Sequence, residues 1–135
     1  MEYMIMPIKR YADFQGRSRR KEYWMFVLFQ VLLLVPVGII LSLFSAPEGG
    51  DDSTLGSILL IIFALIYLGV FMIPGLAVQV RRFHDQDKSG WLILLGFIPY
   101  VGSIILLVFM CLEGTKGSNR FGPDPKDPYS EDVFA

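Results

Sequence analysis

Three uncharged apolar runs, residues 23–45, 55–80 and 91–112, leave this chain few architectures. None of them contains Asp, Glu, Lys or Arg. About 18 or more such residues in succession suffice to cross the roughly 30 Å hydrocarbon core of a bilayer. Inside that core every backbone N–H and C=O must find a partner within the protein, so such a run becomes a helix. The expected fold class is an all-α membrane protein. It has three transmembrane helices, short loops and an irregular C-terminal tail. Residues 1–22 form a basic N-terminal segment, residues 23–112 the membrane domain, and residues 113–135 a polar tail rich in Gly and Pro.

The placement of charge decides against a soluble helical bundle. The 12 Lys and Arg and 13 Asp and Glu gather in four blocks outside the runs instead of striping each helix. The first run is too long for the roughly 7–15-residue core of a signal peptide and is followed by Pro47, so it reads as an uncleaved span. Pro36 is expected to kink it. Gly38 and Ser42 form a small-residue pair suited to helix packing. The second run exceeds the hydrocarbon thickness, so it is expected to tilt, or to break at Pro74-Gly75 with an interfacial last turn. The connector Pro47-Glu48-Gly49-Gly50-Asp51-Asp52 reads as turns, with Ser53 or Thr54 capping the helix after it. The end of the tail reads as disordered. Cys111, the single cysteine, reads as a small apolar core residue.

Orientation follows from Lys and Arg near the span ends. Three crossings place the N-terminal segment and the loop around residues 81–88 on one side, with nine Lys and Arg (six plus three). The N-terminus is therefore expected in the cytoplasm and the tail on the far side. A re-entrant third run, turning at Gly96, Pro99 and Gly102, is the alternative. It would bring the tail back to the cytoplasmic side.

Three polar motifs lie at the span ends. The first holds Arg17, Arg19, Arg20 and Lys21, then Glu22 and the aromatic pair Tyr23-Trp24. Cations directly before a span gain about 1 kcal/mol each from an anionic leaflet, which makes lipid headgroups the expected partner and nucleic acid an unneeded one. The second motif holds Arg81, Arg82, His84 and Asp85, then Ser89-Gly90-Trp91. Here Arg82 and Asp85 are expected to pair, with Arg81 free to meet a phosphate oxygen. His84 beside carboxylates also has the makings of a proton relay. The plainer reading is a loop closed by its own salt bridges and caps. One histidine does not make a metal site, and no cofactor, metal ligand set or catalytic residue is assigned. The third motif holds Asn119, Arg120, Phe121 and Asp124 in a series of turns, with Arg120 stacked on Phe121.

Taken together, Gly16-Arg17-Ser18-Arg19-Arg20-Lys21-Glu22-Tyr23-Trp24, Arg81-Arg82-Phe83-His84-Asp85 through Ser89-Gly90-Trp91, and the tail from Gly114 through Asn119-Arg120-Phe121-Gly122-Pro123-Asp124-Pro125 resemble the bacterial inner-membrane proteins grouped as domain of unknown function family 805. The resemblance covers about residues 10–126. Phe83 stands where that family has Leu, and Lys116 where it has Pro. The resemblance implies an inner-membrane location and no reaction.

Three classes of function stay open. A scaffold or accessory protein would bind anionic headgroups, a second copy of itself or another membrane protein through its cytoplasmic motifs. A transporter or channel subunit would want ionisable groups at mid-membrane depth, where the runs offer only Gln30, Tyr67, Tyr100 and Ser103 as polar groups. A membrane-embedded enzyme would have to rely on His84 with Asp85. The scaffold class asks least of these residues.

Overall fold

The computed structural model describes residues 2–44 and 53–127, apart from the side chains of Phe44 and Ser53. The acidic connector and the last eight residues, with the turns and disorder expected of them, lie outside the described residues. The elements are α1 (Glu2–Lys9), α2 (Arg20–Phe44), α3 (Ser53–Asp85), a 3₁₀ helix (Gly90–Phe97) and α4 (Val101–Cys111). Among the described residues two helices, α2 and α3, are long and apolar enough to cross a membrane.

Burial is inverted relative to a soluble protein. Leu32, Leu43, Leu55 and Leu65 are 58–72% exposed, while Arg81 and Arg82 are 0% exposed. Apolar surface on that scale is what lipid covers in a membrane protein. The α2–α3 interface is an aromatic ladder. Phe71 meets Phe26 and Phe29 at centroid distances of 6.3 and 6.1 Å and stacks on Tyr67 at 5.0 Å. Tyr67 also donates a 2.9 Å hydrogen bond to Gln30 Oε1, satisfying a polar pair in the apolar zone. A Cβ on Gly38 would meet nothing within 4 Å among the described residues, so no neighbouring helix packs closely on Gly38 there.

α3 is unbroken. Its 33 residues run through Pro74-Gly75 to Asp85, about 50 Å at about 1.5 Å per residue. No break occurs at Pro74-Gly75, and the helix carries Arg81 and Arg82 well beyond a 30 Å hydrocarbon layer. It ends in a Schellman motif. Asp87 adopts φ 55°, its N–H bonds the His84 carbonyl, and the Lys88 N–H bonds the Phe83 carbonyl. Ser89 then caps the 3₁₀ helix, its Oγ accepting from the Trp91 N–H.

The third run does not form one long helix. Eight residues of 3₁₀ helix rise about 16 Å, the chain reverses at Ile98-Pro99-Tyr100, and 11-residue α4 returns over a similar height. The expected kinked crossing is therefore corrected to a hairpin. The cause is local. The Pro99 ring cannot continue a helix, Tyr100 takes φ 64°, and Gly102 lets the two arms touch. A Cβ on Gly102 would sit 1.9 Å from the Leu95 carbonyl oxygen. The tail consequently returns to the end where α3 stops. A labelling experiment reads this directly. In a Cys111→Ala background, cysteines at positions 9, 88 and 116 should all react from the same side of the membrane. Reaction of position 116 from the side opposite to 88 would rule out the hairpin.

Candidate functional site

The end of α3, the segment before α2 and the tail converge on one buried carboxylate. Asp85 is 2% exposed. Arg17 Nε donates to its Oδ1 at 3.0 Å, and Arg82 Nη1 donates to its Oδ2 at 2.5 Å. The expected Arg82–Asp85 pair is thus present, with Arg17 as a second partner from 68 residues away. Arg17 also gathers the tail. Its Nη2 donates to the Thr115 carbonyl and its Nη1 to the Gly117 carbonyl, both at 2.6 Å. Arg82 Nη2 reaches the Leu112 carbonyl at 2.7 Å, and the Thr115 N–H bonds the Asp85 carbonyl, also at 2.7 Å. Backbone passes so close to Asp85 that a Cβ on Gly114 would lie 2.0 Å from its Oδ2.

Arg81 is not free to meet a phosphate. Its Nη2 lies 3.2 Å from Oε1 of Glu22, itself 3% exposed. Its Nη1 lies 3.9 Å from Asp13 Oδ2, an ion pair beyond hydrogen-bonding range. The Nε and Nη1 of Arg81 and the Nε of Arg82 have no hydrogen-bond partner. The sequence suggests one ion-paired cation, Arg82, and one free cation, Arg81, at a helix end. In the fold, three buried arginines (17, 81 and 82) face two buried carboxylates (22 and 85). Such a cluster is held by its completeness, because a buried ion without a partner is costly. Asp13, at the edge, is held below the usual carboxylate range by the hydrogen bond from Arg10, against the opposing effect of burial.

The remaining motif residues divide between structure and surface. His84 lies with Nδ1 3.2 Å from the Gly16 carbonyl oxygen and its ring parallel to Phe121 at 4.0 Å. The carboxylates of Asp85 and Asp87 both go to arginines, so neither orients the imidazole as a relay would require. Asn119 donates to the His84 carbonyl at 2.9 Å. Arg120 lies over Phe121 at 4.7 Å, as the tail motif suggests, and pairs with Asp87 at 3.1 Å. Asp124 accepts from the Gly117 N–H at 3.0 Å. Its burial acts to raise its pKa. The N–H groups of Lys126 and Gly117, with Arg17 and the Lys126 charge, outweigh that and hold it below the ordinary value.

Arg19, Arg20 and Lys21 stay outside the buried cluster. They line a groove of about 630 Å³ with Trp24, Cys111 and Lys126. Among the described residues no carboxylate lines it, and Cys111 is exposed there and not in the core expected of it. Glu113 lies nearby, 3.7 Å from Arg20. Lys126 has no signal in the sequence for a place here, since only the return of the hairpin brings it beside residues 19–21. Gln86 and Gly114 also escape a reading by charge. Gln86 donates to the Phe109 carbonyl, and Gly114 matters for what it lacks.

The comparisons with known proteins agree with the three-motif pattern. A family model described as "Protein of unknown function (DUF805)" matches residues 11–123. The chain is 42% identical over 126 residues to "Inner membrane protein YhaH" of Escherichia coli (strain K12), covering 93% of this chain and 98% of that one. It is equally identical, over 126 residues, to "Inner membrane protein YhaI" of the same organism, with 93% and 97% covered. "Uncharacterized protein YiiR" is 27% identical over 141 residues, with 85% and 87% covered. No solved structure matches.

Proposed function

The chain belongs to the DUF805 family, whose relatives include inner-membrane proteins, and from that premise we propose an accessory protein that holds anionic lipid headgroups at the cytoplasmic face. The cation-lined groove of Arg19, Arg20, Lys21 and Lys126 carries this reading. Trp24 on its wall is the residue type that settles at headgroup depth. The groove opens at the N-terminal end of α2, where unpaired backbone N–H groups add to the attraction for phosphate.

The hairpin strengthens the orientation behind this reading. Lys116, Arg120 and Lys126 join the nine Lys and Arg of the other motifs, so all 12 flank one end of the molecule, and the α2–α3 connector has none. The positive-inside rule then puts this end in the cytoplasm, with two crossings and a hairpin dipping from the same side. The buried arginine cluster serves as the rigid base that fixes the groove.

Changing Arg19, Arg20, Lys21 and Lys126 together to Gln should weaken retention of anionic lipid on the order of a hundredfold, at about 1 kcal/mol per juxtamembrane cation and some loss to Glu113. The melting temperature should hardly move, because none of the four belongs to the buried cluster. Native mass spectrometry of the chain released from phosphatidylglycerol-containing nanodiscs measures it. Equal phosphatidylglycerol retention by the variant would refute the reading.

A further inference from the structure

On the opposite side of the His84–Phe121 stack lies a second pocket, of about 570 Å³, with a different chemistry. Phe14, Trp91, Val80 and Phe121 wall it, and His84, Ser89 and Arg120 supply its polar side chains. A volume of this order suits a small headgroup with the start of an acyl chain.

Its hydrogen-bonding capacity is only partly used. The Gly16 carbonyl can only accept, so the proton of His84 sits on Nδ1, and in the neutral ring Nε2 is a bare acceptor. Among the described residues no donor bonds that Nε2. Arg120 engages Asp87 through Nε and Nη2, which leaves Nη1 uncommitted. Because Asp87 accompanies Arg120, the rim carries one positive and one negative charge side by side. A net anion gains little there, in contrast to the groove of residues 19–21. Among the described residues the Trp91 and Phe14 rings meet no other ring or cation, and Trp91 is 77% exposed. They offer π faces to a cation.

We propose that this pocket binds the headgroup of a zwitterionic phospholipid carrying a primary ammonium, of the phosphatidylethanolamine type, at a site separate from the cationic groove. The phosphate meets Arg120 Nη1. The ammonium donates to His84 Nε2 and lies against the Trp91 and Phe14 rings. A quaternary ammonium has no N–H for Nε2, so choline lipids should bind less well. The ligand is a lipid and not a free phosphoamine because the pocket wall runs on along the 3₁₀ helix. Leu94 and Phe97 of that helix stand 49% and 84% exposed for acyl chains to cover. The inference rests on this end lying at the membrane surface, and not on the occupancy of the cationic groove.

The test is native mass spectrometry of the full chain from nanodiscs of phosphatidylethanolamine and phosphatidylglycerol. The wild type should retain one ethanolamine lipid per chain. Arg120→Gln and Trp91→Leu, both at exposed positions, should each lower that retention at least fivefold and leave phosphatidylglycerol retention unchanged. The four-residue Gln variant of the groove should do the reverse. Ethanolamine lipid held equally by Arg120→Gln and Trp91→Leu, with both melting like the wild type, would overturn the proposal. So would phosphatidylcholine held as well as phosphatidylethanolamine, or soluble phosphoethanolamine displacing the lipid at equal concentration.

Discussion

Asp85→Ala should leave little folded protein. The carboxylate is shared by Arg17 and Arg82, at 3.0 and 2.5 Å, and all three side chains are at most 2% exposed. Removing it leaves two guanidinium groups facing each other without a counter-ion in a low dielectric. Loss of one partner from a buried ion pair costs about 3–5 kcal/mol. That is comparable with the whole stability of many domains, about 5–15 kcal/mol. Asp87→Ala is the control, because the Arg120–Asp87 pair is 60% and 45% exposed and such pairs contribute about 1 kcal/mol or less. Thermal melting in mild detergent should show a large drop, or no cooperative transition, for Asp85→Ala and a shift of a few degrees for Asp87→Ala. Similar melting of the two variants would mean that the buried cluster does not hold the fold.

Gly102→Val should open the hairpin. The added Cβ would fall 1.9 Å from the Leu95 carbonyl oxygen and 3.2 Å from the Ile98 Cβ. The first neighbour is backbone, so no rotamer change relieves the clash and the two arms must separate. Overpacking against yielding side chains costs about 1–3 kcal/mol, and this site belongs at or above the top of that range. Gly38→Val is the matched control, since a Cβ there meets nothing. Limited proteolysis of the tail is the readout. Cleavage near residue 116 should speed up strongly in Gly102→Val and stay at the wild-type rate in Gly38→Val. Equal rates would show that the arms do not pack as described.

How far the sequence could be read depends on which atoms make each contact. Two long apolar helices were legible because uncharged length is a property of composition, but the third run, just as uncharged, forms no such helix. The hairpin was half legible: Pro99 and Gly102 marked a turn, but Gly96 and Gly102 also suit a kinked crossing, and only the Leu95–Gly102 contact separates the two. The Arg82–Asp85 pair was legible from helical spacing. Arg81 was not, because its partner Glu22 lies 59 residues away and a cation at a helix end ordinarily meets water. Arg17 was the least legible. Most of its partners are backbone carbonyls of Asp85, Thr115, Gly117 and Gly122, and a carbonyl carries no mark of the residue it belongs to. The groove was legible in three of its four cations, since residues 19–21 are adjacent, and illegible in Lys126.

The tie between Arg17 and the tail also bears on the order of events during synthesis. Arg17 leaves the ribosome early and Asp85 much later, and the carbonyls of Thr115, Gly117 and Gly122 later still. Until those residues emerge, Arg17 lacks most of its acceptors and Arg82 lacks the Leu112 carbonyl. Charges that end up enclosed must therefore wait in water beside the membrane while the spans are already inserted. Assembly of the polar end is then a late step, entered only by a chain that has been made past Gly122. A ribosome that stops before Gly114 leaves Arg17 and Arg82 without their tail acceptors.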